Sequence, residues 1–251
     1  MYVKERWPIY WVSVFLQKGH AMLVYITRSA KTELAPAVIR GLPLWHLAAG
    51  RGFFARRRAG VYLRRLYASG VRRGVFEDEN MAVLAARCGI APVPVLPLRL
   101  ALLDQLLGAH CIDGLPAAAV YLRCGRGGET AARQAAAVLA RRARYIRLDE
   151  GDPAGLTDLL LRRWGISPGD GGLTPALTVC TGHDAPTIDG PALYLTDDCA
   201  RVQSVTYASP SLPEPLLAAL TAADKCQPSE IHVASVISFL DRRRENNYNA
   251  T

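Results

Sequence analysis

Two short stretches combine residue types that could do chemistry. The first is Gly125-Arg126-Gly127-Gly128-Glu129-Thr130. Glycine lacks a Cβ, so the chain there can take positive φ and bring backbone N–H groups close to an anion, a phosphate above all. Asp149 follows about twenty residues beyond the glycines, where a dinucleotide site places the carboxylate that accepts from ribose hydroxyls. The second stretch is Cys180-Thr181-Gly182-His183-Asp184. His183 titrates near neutrality and Asp184 can orient it, so this pair is the acid/base candidate. Each stretch has a plainer reading beside it. The glycines can simply join a strand to a helix, and His183 can be a neutral surface-loop histidine.

Both stretches need a frame to position them. Ala117 to Leu122 is an apolar run without strict alternation, as expected of a strand covered on both faces. The glycines follow at once, and Glu129 or Thr130 opens an alanine-rich helix with Ala131, Ala135 and Val138 at helical spacing. Arg144 to Asp149 supplies a second strand. The layout is a βαβ unit, and it predicts a Rossmann-like α/β fold with a mostly parallel sheet flanked by helices. Gly125, Gly127, Gly128, Thr130 and Asp149 form its cofactor-binding set, with NAD as the cofactor if there is one. The fingerprint departs from the ideal in three places. Thr130 stands where the third glycine or alanine belongs, and Glu129 brings negative charge to the helix end that should receive pyrophosphate. Arg144 and Arg147 make the second strand less apolar than a central parallel strand.

Several chemistries are disfavoured. There is no G-x-S-x-G elbow and no G-x-x-x-x-G-K-[ST] loop, which argues against α/β-hydrolase and Walker-type phosphoryl transfer. The six cysteines are Cys88, Cys111, Cys124, Cys180, Cys199 and Cys226, with no C-x-x-C pair and no Cys/His cluster at metal spacing. They read as reduced thiols of a cytoplasmic protein, and no metal site is expected. Cys124 and Cys180 end strands and are the remaining nucleophile candidates. His46 lies in an apolar run, His110 in a loop, and His232 on an expected terminal helix.

Half of the 251 residues are hydrophobic, enough for one large domain or two small ones. The net charge of +8 comes from arginine, since the only lysines are Lys4, Lys18, Lys31 and Lys225. From Leu34 to Phe76 there are nine arginines and no acidic residue. Phe53 to Ser69 reads as a helix with Arg57, Arg58, Arg64 and Arg65 on one side. That arc is either a nucleic-acid surface with Tyr62 and Tyr67 for stacking, or the solvated face of an amphipathic helix, which is favoured. No apolar run is long enough to span a bilayer.

In chain order, residues 1–21 read as an extension ahead of Met22, the expected natural start. An N-terminal α/β part covers 22–113, beginning with a strand at Leu23 to Thr27 and a helical stretch at Glu33 to Ile39. Val71 to Phe76 is a strand, Asn80 to Cys88 a helix, and Leu98 to Leu107 a second helix. The loop Gly108 to Pro116 is the expected boundary. The Rossmann-like part covers 114–244. There Asp152 caps a helix ending at Gly165, Leu177 to Thr181 is a strand, and Ala192 to Thr196 forms a hairpin with Arg201 to Tyr207. Helices near Glu214 to Asp224 and Ser229 to Arg243 complete it, and 245–251 is a polar tail.

A basic α/β part followed by a Rossmann-like unit is similar in architecture to two-domain NAD(P)-dependent dehydrogenases, but no catalytic lysine–aspartate pair or substrate motif is matched. Three functions stay open. The first is a nucleotide- or dinucleotide-binding protein, with an oxidoreductase as its catalytic form. The others are a non-catalytic binding or regulatory protein of the same fold, and a nucleic-acid-binding protein.

Overall fold

A computed structural model describes residues 23–109, 119–149, 152, 155–169, 172–182, 188, 190–197 and 203–238. The expected N-terminal extension, the candidate pair His183 and Asp184, His110, most of the expected boundary loop and the C-terminal tail lie outside the described residues. The chain divides into two units, Met1–Val93 with Pro215–Lys225 and Pro94–Glu214 with Cys226–Thr251. The protein is mixed α/β, with parallel sheets flanked by helices.

The N-terminal unit holds a five-stranded sheet in the order β2-β3-β1-β4-β5. Its strands are β1 (Leu23–Arg28), β2 (Glu33–Ile39), β3 (Leu42–Ala49), β4 (Arg73–Phe76) and β5 (Ala91–Pro92). β1 runs parallel to both β3 and β4, β4 runs parallel to β5, and only β2 is antiparallel. Helices α1 (Phe53–Ala68) and α2 (Glu79–Arg87) cover one face, where Val24, Ile26, Leu47, Ala59, Leu63 and Ile90 form a buried cluster. Asp78 starts α2 by accepting from the Asn80 amide at 2.9 Å.

Glu33 to Ile39 is a strand, not the expected helix. Arg40 and Gly41 both take positive φ, 48° and 78°, and Ile39 pairs with Leu42. That is a two-residue hairpin turn, so the apparent helix break at Gly41 is where the chain reverses. Pro36 is tolerated because β2 is an edge strand, and Pro43 precedes the first residue of β3 that pairs with β1.

The C-terminal unit holds a four-stranded, wholly parallel sheet in the order β7-β6-β8-β9. The strands are β6 (Ala119–Cys124), β7 (Tyr145–Leu148), β8 (Pro175–Thr181) and β9 (Ala192–Leu195). Helix α5 (Glu129–Leu139) joins β6 to β7 and buries Ala131, Ala132, Ala135 and Ala136. Their small side chains let the helix lie close on the sheet, which realises the expected βαβ unit. Helix α6 (Leu156–Trp164) follows β7. Asp152 accepts from Leu156 N at 2.6 Å and Thr157 N at 2.9 Å, so it caps α6 although Gly155 is the residue at the helix boundary.

Three further expectations are corrected in this unit. Leu98 to Leu107 is two helices, α3 (Leu96–Ala101) and α4 (Leu103–Ala109). Ala192 to Thr196 makes no hairpin with the following segment. β9 is buried along its whole length and joins the parallel sheet, while β10 (Gln203–Ser209) pairs antiparallel with β11 (His232–Ser238). His232 is therefore on a strand and not on a helix. The run His-Val-Ala-Ser-Val-Ile-Ser is rich in β-branched residues, and its pairing with β10 prevails over the helical reading. Helix α7 (Glu214–Ala222) occurs as expected and, from Pro215 on, belongs to the N-terminal unit.

Candidate functional site

In an open parallel sheet, ligands bind beyond the carboxyl ends of the strands, at the point where the strand order reverses. In the C-terminal unit the chain passes from β6 to β7 on one side, then returns to β8 on the other. The reversal therefore lies between β6 and β8. Gly125 to Gly128 follows β6, and Thr181-Gly182 ends β8, so the two candidate stretches meet at that point.

The turn is held tightly. Gly125 N donates to Thr181 O at 2.7 Å, Gly128 N donates to Gly125 O at 3.0 Å, and Gly127 has φ 72°. Gly128 is buried, and a Cβ placed there would stand 2.5 Å from Gly182 N. Conversely, a Cβ on Gly182 would stand 2.5 Å from Gly125 O. The missing side chains of Gly128 and Gly182 thus let one backbone lie on the other. Arg126, Gly127, Glu129 and Thr130 are exposed around this contact. No side chain caps the amino end of α5. Its first-turn amides have no intrahelical acceptor, and the helix dipole adds partial positive charge there.

Asp149 lies at the end of β7, as the spacing predicts. Its Oδ1 accepts from the Tyr121 hydroxyl at 2.6 Å and from Arg123 Nε at 3.2 Å, and its Oδ2 accepts from Cys124 N at 3.0 Å. The carboxylate thereby ties β7 to the end of β6. The guanidinium groups of Arg123 and Arg147 stand 5.5 and 5.2 Å from the Tyr121 ring centre. Burial, together with the hydrogen bond to Asp149, raises the Tyr121 pKa and keeps its hydroxyl protonated as a donor. The polar residues that looked out of place on β7 are explained by its position at the edge of the sheet.

Two thiols lie at the carboxyl ends of β6 and β8, and burial disfavours the thiolate of each. Burial pushes the Cys180 thiol up to about 12 and also raises Cys124, whose neighbours Glu129, Asp149 and Asp152 disfavour a thiolate further. Among the described residues no group of His, Cys, Asp and Glu could hold a metal ion.

One polar cluster has no local signal in the sequence and sits toward the carboxyl ends of β1, β3 and β4 in the N-terminal unit. His46 Nε2 and Thr27 Oγ1 share a hydrogen bond of 2.8 Å. The Tyr25 ring lies 5.8 Å from the His46 ring, and its hydroxyl donates to Glu77 Oε1 at 2.6 Å. Burial lowers the His46 pKa, outweighing the attraction of Glu77 and Glu33, so the ring is neutral near pH 7. The parallel register that pairs Tyr25 with His46 brings these side chains together. Only the long-range strand order reveals it.

No family model and no curated protein matches the chain. Among solved structures, the L-tryptophan dehydrogenase from Nostoc punctiforme is similar at 11% sequence identity, covering 80% of this chain and 72% of that one, with a TM-score of 0.30. A likeness of that depth says nothing about reaction or ligand. No helix among the described residues is long and apolar enough to cross a membrane.

Proposed function

We propose that the C-terminal unit is a Rossmann-like nucleotide-binding module, with the phosphate set against the turn Gly125, Gly127 and Gly128 and held by the first amides of α5 and by Thr130; Gly125 N and Gly128 N already donate to Thr181 O and Gly125 O. The observation that carries this reading is the amino end of α5, uncapped by any side chain and with Glu129 and Thr130 exposed, at the strand-order reversal between β6 and β8. Arg126 is exposed beside it and supplies the positive charge that Glu129 offsets. The ribose end of a dinucleotide such as NAD would approach Asp149, which has acceptor capacity beyond its present three donors. In the fuller version of the proposal the chain is an oxidoreductase, with His183 exchanging the proton and Asp184 orienting it. Native mass spectrometry of freshly purified protein tests the binding step. A co-purified nucleotide supports it, and a bare mass from cells and after incubation with NAD, NADP or ATP contradicts it.

A second reading is favoured by the packing of Gly128 on Gly182. There the turn only closes the gap between the carboxyl ends of β6 and β8, Asp149 is a strand tie, and the module binds or regulates without catalysis.

A further inference from the structure

We propose that the amino end of α1 is a peripheral docking surface for anionic lipid bilayers. Phe53 and Phe54 open this helix, and they are 75% and 82% exposed. They are the most exposed large hydrophobic side chains among the described residues, and they pack on each other edge to face at 5.6 Å. Two neighbouring phenyl rings turned into water form an apolar patch that a partner surface would cover. Arg51 precedes them and Arg56, Arg57 and Arg58 follow, all exposed. No acidic residue occurs between Leu34 and Phe76 to neutralise them.

The helix is anchored by its other side. Ala59, Leu63 and Leu66 are buried in the core, while Arg64 and Arg65 are exposed further along. A rigid helix therefore presents an aromatic tip and a cationic flank. That pairing suits a surface with an apolar interior beneath a layer of negative headgroups.

A nucleic-acid partner fits less well, because the tyrosines that could stack bases are already engaged. Arg72 lies 3.9 Å over the Tyr67 ring, which also lies against Gly89. Arg58 stands 5.7 Å over the Tyr62 ring and donates to its hydroxyl at 3.2 Å. The two exposed aromatics are carbon-only rings in an edge-to-face pair, which offers no slot for a base between them.

The test is co-sedimentation of the full chain with vesicles of phosphatidylcholine alone and with about one-third phosphatidylserine, at low and physiological salt. Binding to the anionic vesicles alone is expected, falling about tenfold or more in the double variant Phe53→Ser, Phe54→Ser, and weakening in Arg56→Gln, Arg57→Gln and with added salt. Phe53→Leu with Phe54→Leu should retain binding. Melting curves of all variants show that the fold is kept, as expected for exposed positions. No binding to anionic vesicles at low salt overturns the proposal, as does equal binding by the Phe→Ser variant. Salt-sensitive capture of a single-stranded oligonucleotide in place of vesicles would also overturn it, and assign the arginines to nucleic acid.

Discussion

Gly128 and Gly182 interlock: each occupies the space where the other's loop would meet a side chain, and a Cβ on either would come within 2.5 Å of backbone across the gap. This contact holds the carboxyl ends of β6 and β8 together at the strand-order reversal. It separates the roles of three glycines that look equivalent in the sequence.

Gly128→Ala and Gly182→Ala should therefore destabilise the protein by about 3 kcal/mol or more, because backbone cannot move aside as a flexible side chain can. Gly127 is exposed with φ 72°, so Gly127→Ala should cost only about 1–2 kcal/mol. Thermal denaturation of the three variants checks the order. A Gly128→Ala protein that melts with the wild type would show that the interlock is dispensable.

Asp149→Asn removes the charge that Arg123 faces and one of the acceptors that receive Tyr121, Arg123 and Cys124. A loss of roughly 1–3 kcal/mol in urea unfolding is expected without any ligand present. If a dinucleotide binds at Asp149 as proposed, Arg123 would offset the repulsion of a 2′-phosphate, and NAD and NADP would bind within about tenfold of each other. Arg123→Gln should shift the preference toward NAD. A wild type that already rejects NADP would contradict this.

Arg99 is fully buried in the C-terminal unit, with two 2.7 Å contacts to Glu214 and further bonds to Tyr194 O and Gln203 Oε1. Arg99→Ala should cost about 3–5 kcal/mol by leaving the Glu214 carboxylate without its charged partner, with only the Tyr207 hydroxyl still donating to it at 2.8 Å. Arg99→Lys should rescue little, since an ammonium cannot reproduce the two-pronged geometry. Equilibrium unfolding of both variants tests this, and full rescue by lysine would show that charge alone suffices.

The burial of His46 sets the sign of a pH dependence. Its folded pKa lies below the unfolded value of about 6.5, so the unfolded chain binds the proton more readily. The contribution is fully present above about pH 6.5 and is lost as pH falls through the folded value. His46→Gln should flatten the stability profile in that window. An unchanged profile would place the titration elsewhere.

Cys180 should resist alkylation at pH 8 in the native protein, because a thiol pushed up to about 12 is almost wholly protonated there. Mass spectrometry after iodoacetamide, with and without denaturant, reads this directly. Rapid native labelling would contradict the burial argument.

Where local pattern and tertiary demand coincide, the sequence is informative. The strand, glycine turn and alanine helix from 119 to 139 form as read, because an apolar run, a conformational break and small residues at helical spacing each act locally. The same logic fails at Glu33 to Ile39 and at His232 to Ser238, whose conformation is set by the strands they pair with. The meeting of His46 with Thr27 depends on β3 lying beside β1 and not beside its sequence neighbour alone. Likewise, the sequence supplies the glycines, but only the packing shows that Gly128 faces Gly182 while Gly127 faces solvent.

The most direct test of the nucleotide reading is calorimetric titration of the purified wild type and Gly127→Val with NAD, NADP and ATP. Binding to the wild type that is abolished in a still-folded Gly127→Val protein is the expected result, since the valine side chain stands where the phosphate would approach. No heat from any of the three ligands with the wild type would contradict it, and would leave Gly125 to Gly128 as a turn that only joins the carboxyl ends of β6 and β8.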